Sequence, residues 1–162
     1  EAMADAFEPV AAMARQGGVP LALEIIAFSN IVTVSDALAV LRNNLGQGAG
    51  LMLDSWHFAR RAVALEPLTN LPPGAILGVE IADLNPVAHE DIFLETIDHR
   101  CVPGEGCYDL AAFLKAVDGA GYAGPIGLEI LSASLRNLTV KEALARSVLG
   151  ARRLIPPHQH GS

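Results

Sequence analysis

Four carboxylates stand where short apolar runs end. Glu24 lies in Leu21-Ala22-Leu23-Glu24-Ile25-Ile26, Asp54 closes Gly50-Leu51-Met52-Leu53-Asp54, Glu80 falls in the run from Ile76 to Asp83, and Glu129 lies between Pro125 and Leu131. A lone acid at such a place is ordinarily solvated or caps a helix; four in matching positions are a different matter. Carboxylates gathered among apolar residues cost on the order of several kcal/mol each unless protons, basic partners or a cation neutralise them. One divalent ion does this most simply. An all-oxygen donor set suits hard or borderline ions. Glu24, Asp54, Glu80 and Glu129 are therefore read as ligands of one divalent metal, Mn2+ favoured, with Mg2+, Co2+ or Zn2+ as the other ions such a set takes.

The elements that must position these acids alternate along the chain. Met3, Phe7, Val10 and Ala14 recur at helical spacing up to Gly17-Gly18, and the Glu24 run follows as a buried strand. Thr33-Val34-Ser35-Asp36 has capping-box spacing and opens a second helix ending near Asn43-Asn44. The Asp54 strand leads straight into Ser55-Trp56-His57, read as a strand-to-helix turn. After the Glu80 strand comes a long loop with Asn85-Pro86 and Pro103-Gly104-Glu105-Gly106, then a helix from Asp109 to Gly119 and the Glu129 strand. Thr139-Val140-Lys141-Glu142 caps a last helix, which presents Val140, Leu144, Val148, Ala151 and Ile155 on one face, and residues 156–162 form a tail expected to be disordered. Strands alternating with helices in this way imply a parallel α/β sheet.

The segments Leu-Ala-Leu-Glu24, Leu-Asp54-Ser-Trp-His57, Arg100-Cys-Val-Pro-Gly-Glu-Gly106 and Gly121-Tyr-Ala-Gly-Pro-Ile-Gly-Leu-Glu129 occur in order and at fitting intervals. The chain resembles the C-terminal half of the xylose-isomerase-like superfamily of sugar isomerases and epimerases. That resemblance implies a (β/α)8 TIM-barrel type of which about four βα units are present, strands 5 to 8, over residues 1–155. It places the metal on Glu24, Asp54, Glu80 and Glu129, with Glu80 replacing the usual His or Gln. It puts His57, Arg100 and Trp56 beside the substrate and gives Glu24 and Glu129 the catalytic proton transfers. The reaction so implied is isomerisation or epimerisation of a sugar or similar polyhydroxy carbonyl compound through an enediolate. The pattern also resembles the 3-dehydroshikimate-dehydratase-like branch, which makes a metal-dependent lyase the alternative. A non-catalytic half barrel serving assembly or binding is the second alternative.

A complete barrel of this type takes about 250 residues, and this chain has 162. Four strands cannot close, so their edges call for cover. Either an N-terminal half has been lost or is supplied by another chain, or copies of the chain associate as a homo-oligomer. With 51% hydrophobic and 18% charged residues the chain carries enough apolar surface for a core. Its net charge of −7 and 11 scattered Lys and Arg argue against nucleic acid or an anionic membrane as partner. No apolar run is long enough to span a bilayer, and the acidic start lacks a signal-peptide layout, so the protein is expected to be soluble and cytoplasmic. Cys101 and Cys107 read as two free thiols. Asp83 is read as either a partner of the acidic cluster or a strand-end cap, Glu105 as a salt-bridge partner of Arg100, and His99 as surface.

Overall fold

A computed structural model describes residues 2–155; the tail expected over 156–162 lies outside them. Four parallel strands, β1 (Leu21–Glu24), β2 (Ala49–Asp54), β3 (Ile76–Ile81) and β4 (Ile126–Leu128), pair in sequence order. Around them lie α1 (Ala2–Gln16), α2 (Val34–Leu41), α3 (Ser55–Arg61), α4 (Ile92–Asp98), α5 (Leu110–Gly119), α6 (Ala133–Arg136) and α7 (Val140–Leu154). The alternation is that of a partial TIM barrel. Both capping boxes form, Thr33 with Asp36 at α2 and Thr139 with Glu142 at α7.

Because side chains alternate across a strand, each strand here has two different faces. Leu51, Leu53, Val79 and Ile81 point one way and are fully buried beneath Val34, Leu41, Phe58, Phe113 and Val117 of the helices. The other face carries Ala22, Gly50, Met52, Gly78 and Gly127, with the carboxylates beyond them. Its glycines are required by close approach: a Cβ on Gly78 would overlap the Met52 sulfur, and one on Gly127 would lie 3.0 Å from Glu80 Cγ. This is the small-and-large interdigitation of a barrel interior, and it leaves β1 and β4 only partly buried.

The sequence reading departs from the structure in three places. The segment read as loop between β3 and α5 contains α4, capped by Asp91, whose carboxylate accepts from the Phe93 and Leu94 amides at 2.8 and 3.2 Å. The strand-to-helix turn expected at Ser55-Trp56-His57 is already helical, as the first turn of α3. The apolar stripe expected on α7 is buried only in its C-terminal part: Ala151 is buried and Val148 and Ile155 are half-buried, but Val140 is 85% and Leu144 61% exposed, and Ser147 and Gly150 are buried beside Ala151. Gly150 fits against Val102 and the Pro103 carbonyl, where a Cβ would collide, so α7 docks through its small residues.

Phe58 and Phe113 meet edge-on with ring centroids 5.3 Å apart in this core. Phe113→Ala is expected to cost about 4 kcal/mol in urea unfolding, as a large buried truncation does, whereas Leu144→Ala should cost less than about 0.5 kcal/mol.

Candidate metal and proton-transfer site

The parallel register brings the acids to one end of one face. Glu24 and Asp54 are the last residues of β1 and β2, Asp54 is paired with Glu80, and Glu80 with Gly127. Glu129 stands two residues past Gly127 on the same side, immediately after β4. The Glu80 side chain lies across Gly127, whose missing Cβ leaves it room.

Asp54 does two things at once. Its Oδ1 caps α3 by accepting the Trp56 amide at 2.9 Å, while Oδ2 faces the other acids. The cap turns His57, also buried, back over the strand ends. The Ala27 amide donates to His57 Nδ1 at 3.2 Å, which leaves the ring proton on Nε2. That nitrogen sits 3.6 Å from Glu24 Oε1 and 3.7 Å from Asp54 Oδ2. Burial, helped by the Arg100 charge, holds the His57 pKa down at about 4, so the imidazole is neutral near pH 7 and these contacts are not ion pairs. Ligand atoms of Glu24, Asp54 and His57 lie within 4.8 Å of one another; with its proton on Nε2 and its Nδ1 taken by the Ala27 amide, His57 turns an N–H toward this cluster and has no ring lone pair free for a metal.

Arg100 is 3% exposed and spans the acids. Its Nη1 donates to Asp54 Oδ2 at 2.6 Å, to Glu129 Oε2 at 2.9 Å and to the Glu129 carbonyl at 3.2 Å. Nε and Nη2 donate to the Thr96 carbonyl and hydroxyl, each at 2.8 Å, and the guanidinium rests 5.0 Å from the Trp56 ring centre. Expected at the substrate, Arg100 thus directs every nitrogen to a protein acceptor. Trp56, also expected there, is fully buried and supports Arg100 from behind, because the α3 cap directs it inward beside Ala27 and Ala82.

One guanidinium does not balance four acids. Burial first, then Asp54, Glu129 and Glu80, pushes Glu24 up to about 7. Glu80 is raised by burial and by Glu129 and Asp54, and Glu129 by burial ahead of its neighbours' charges. Such shifts come first from burial and then from negative charge that Arg100 does not balance. A divalent cation fits this acid-rich face; the group whose ligand atoms lie within 4.8 Å of one another is Glu24, Asp54 and His57, with Glu80 and Glu129 outside it, and Arg100 already holds Asp54 and Glu129.

Residues 1–150 match the model of the xylose isomerase-like TIM barrel. The chain belongs to that family. Over 94% of the chain it is 31% identical to 3-dehydroshikimate dehydratase of Pseudomonas aeruginosa, of which it covers 24%. Inosose isomerase of Bacillus subtilis is 27% identical over 86% of the chain, which covers 50% of that enzyme. The crystal structure of the IolI protein with a bound zinc atom superimposes with a TM-score of 0.83 at 25% identity, covering 94% of this chain and 54% of that one. The chain thus spans half or less of the curated family members it matches.

Other readings sort out plainly. Asp83 accepts four backbone amides, from Leu84, Gly104, Gly106 and Tyr108, at 2.8 to 3.1 Å; it braces the Pro-Gly-Glu-Gly loop that follows Arg100. Glu105 pairs with Arg146 of α7, not with Arg100, because the loop turns it outward. His99 is exposed and stacks on His89 at 4.9 Å. Cys101 and Cys107 are free. The sequence reading missed Thr96, which anchors Arg100, and Glu95, fully buried and accepting from Arg60 Nε at 2.8 Å. Their signal was Asp91 before Ile92-Phe93, an N-cap ahead of apolar residues.

The folded-state pKa of Glu24, about 7, lies above its ordinary 4.5. Between those values the folded chain keeps a proton the unfolded chain has lost, so this group costs stability as pH rises through that window. In chelator-treated protein, Glu24→Gln should gain stability over wild type from pH 5 to pH 8 in urea unfolding; a constant difference would contradict the raised pKa.

Proposed function

We propose that this chain carries the metal-binding and proton-transfer part of an isomerase or epimerase acting on a cyclic polyhydroxy ketone. The observation that carries this reading is the cluster of Glu24, Asp54 and a neutral His57, with a buried Arg100 joining Asp54 to Glu129 and with Glu80 paired beside Asp54 on the same face. Catalytic groups gather at that end of TIM barrels. The two curated relatives support the ring: dehydroshikimate and inosose are both six-membered carbocyclic ketones bearing hydroxyls.

Glu24, Asp54, Glu80 and Glu129 would hold one divalent ion, and the all-oxygen set favours Mn2+ over Zn2+. When bound, the ion polarises the substrate carbonyl and so acidifies the adjacent C–H. Glu24 or Glu129, as the carboxylate, takes that proton, and the other returns one to the neighbouring carbon. His57 donates its Nε2–H to a substrate oxygen, its Nδ1 being held by the Ala27 amide. Arg100 holds Asp54 and Glu129 in place.

Loss of a β-hydroxyl after the same proton removal is the second reading, favoured by the 31% identity to the dehydratase. Cover for the open edges of β1 and β4 comes in either case from the other half of a barrel, in the same or another chain. Among the described residues no helix is long and apolar enough to cross a membrane, and two free thiols suit the reducing cytoplasm.

Metal titration by calorimetry should find about one Mn2+ per chain, weakened at least about tenfold by Asp54→Ala or Glu129→Ala; unchanged affinity in both would sink the assignment. With inosose in deuterated water, the isomerase reading expects C–H exchange without loss of water. With 3-dehydroshikimate, the lyase reading expects a conjugated, light-absorbing product instead.

A further inference from the structure

Two phenylalanines near this site are exposed yet firmly held. Phe28 is 43% and Phe93 55% exposed, and their rings meet edge-on at 6.1 Å. Phe28 is also edge-on to the His57 imidazole at 5.8 Å, so the pair continues the wall of the acidic cluster outward. Large apolar side chains in a short exposed loop normally move freely; these do not have that latitude.

Phe28 follows Ala27, both of whose backbone groups are bound by α3: the amide by His57 Nδ1 and the carbonyl by Arg61 Nε. The loop then closes on itself. The Ile26 amide donates to the Ile31 carbonyl at 3.1 Å, and the Ser29 hydroxyl donates to the Ile26 and Ile31 carbonyls at 3.0 and 3.1 Å. Phe93 sits in the first turn of α4, which the buried Glu95 clips to Arg60 of α3 and which Thr96 ties to Arg100. The helix that carries Trp56 and His57 therefore anchors, beside the acids, the two segments that bear these rings.

We propose that Phe28 and Phe93 determine specificity at this site by receiving the C–H face of a six-membered carbocyclic substrate whose oxygens point to the acids and to His57. This rests on the proposed function. A polyhydroxy ring has one edge for hydrogen bonds and a face of carbon-bound hydrogens that is poorly hydrated. A rigid aromatic wall covers that face without ordering cost, which is how pockets combine apolar lining with a few fixed polar groups. An open-chain ketose of four carbons offers no such face.

Trp56 is the chain's single tryptophan, and its ring lies 5.2 Å from that of His57, so its fluorescence reports ligand binding without turnover. Wild type, Phe28→Ala, Phe93→Ala and Phe93→Tyr are titrated with inosose and with erythrulose in the presence of Mn2+, and Mn2+ binding is measured separately. Each alanine variant should bind inosose about tenfold more weakly and erythrulose within about twofold of wild type. Phe93→Tyr, which keeps the ring, should retain inosose binding, and Mn2+ affinity should not change. Unchanged inosose affinity in both alanine variants, or equal losses for the two ketones, overturns the proposal. So does a change of molecular size in gel filtration on either substitution, which would make the pair a contact between chains. If wild type binds Mn2+ but neither ketone, the proposed function itself fails before any substitution is made, and the aromatic assignment falls with it.

Discussion

The mutual repulsion of four carboxylates at the strand ends is the constraint around which this molecule is arranged. Backbone pairing forces Asp54 beside Glu80 and sets Glu129 on the same face beyond Gly127. Arg100 offsets part of that charge from a buried position, and a buried arginine requires its own acceptors and support. Thr96 on α4, Trp56 on α3 and the Glu129 carbonyl supply them. Burial first, and then the charge that remains, raises Glu24, Glu80 and Glu129, and a divalent ion would cancel that charge.

Helix α3 couples this electrostatic problem to shape. It is only seven residues long, too short to be stable alone, yet four of its side chains reach across to other elements: Trp56 to Arg100, His57 to Ala27, Arg60 to Glu95 and Arg61 to the Ala27 carbonyl. These contacts fix the β1–α2 loop and α4 against the strand ends. Preorganised side chains of this kind need little rearrangement when charge develops on a bound ligand. Opposite them, Gly78 and Gly127 give the inner face its free space, into which Met52 and Glu80 fold. β1 and β4 are the edge strands of the sheet and are only partly buried.

Enolisation next to a carbonyl precedes isomerisation, epimerisation and loss of a β-hydroxyl alike, so the roles proposed for the acids and His57 suit each of these reactions. Relatives named for reactions of both kinds match this chain, and the strand-end acids alone do not choose between them.

The sequence by itself determined the strands, both capping boxes and the four acids, because each of these is a local pattern: an apolar run with one charge, a Thr with an acid three residues on. It also determined the family, through motifs kept in order. Tertiary structure alone decided the rest. Arg100 and Thr96 are four residues apart, but Asp54 and Glu129 approach that arginine from positions 46 and 29 residues away. The proton on His57 depends on the amide of Ala27, 30 residues upstream. Asp83 found its partners around Gly104 and Gly106 across 21 and 23 residues. On α7 the apolar period pointed to Val140, Leu144 and Ala151, but close backbone approach at Gly150 turned the buried side toward Ser147, Gly150 and Ala151 and left Val140 and Leu144 outside. Periodicity reports what a residue prefers, whereas burial and hydrogen bonding depend on which surfaces the folded chain brings together.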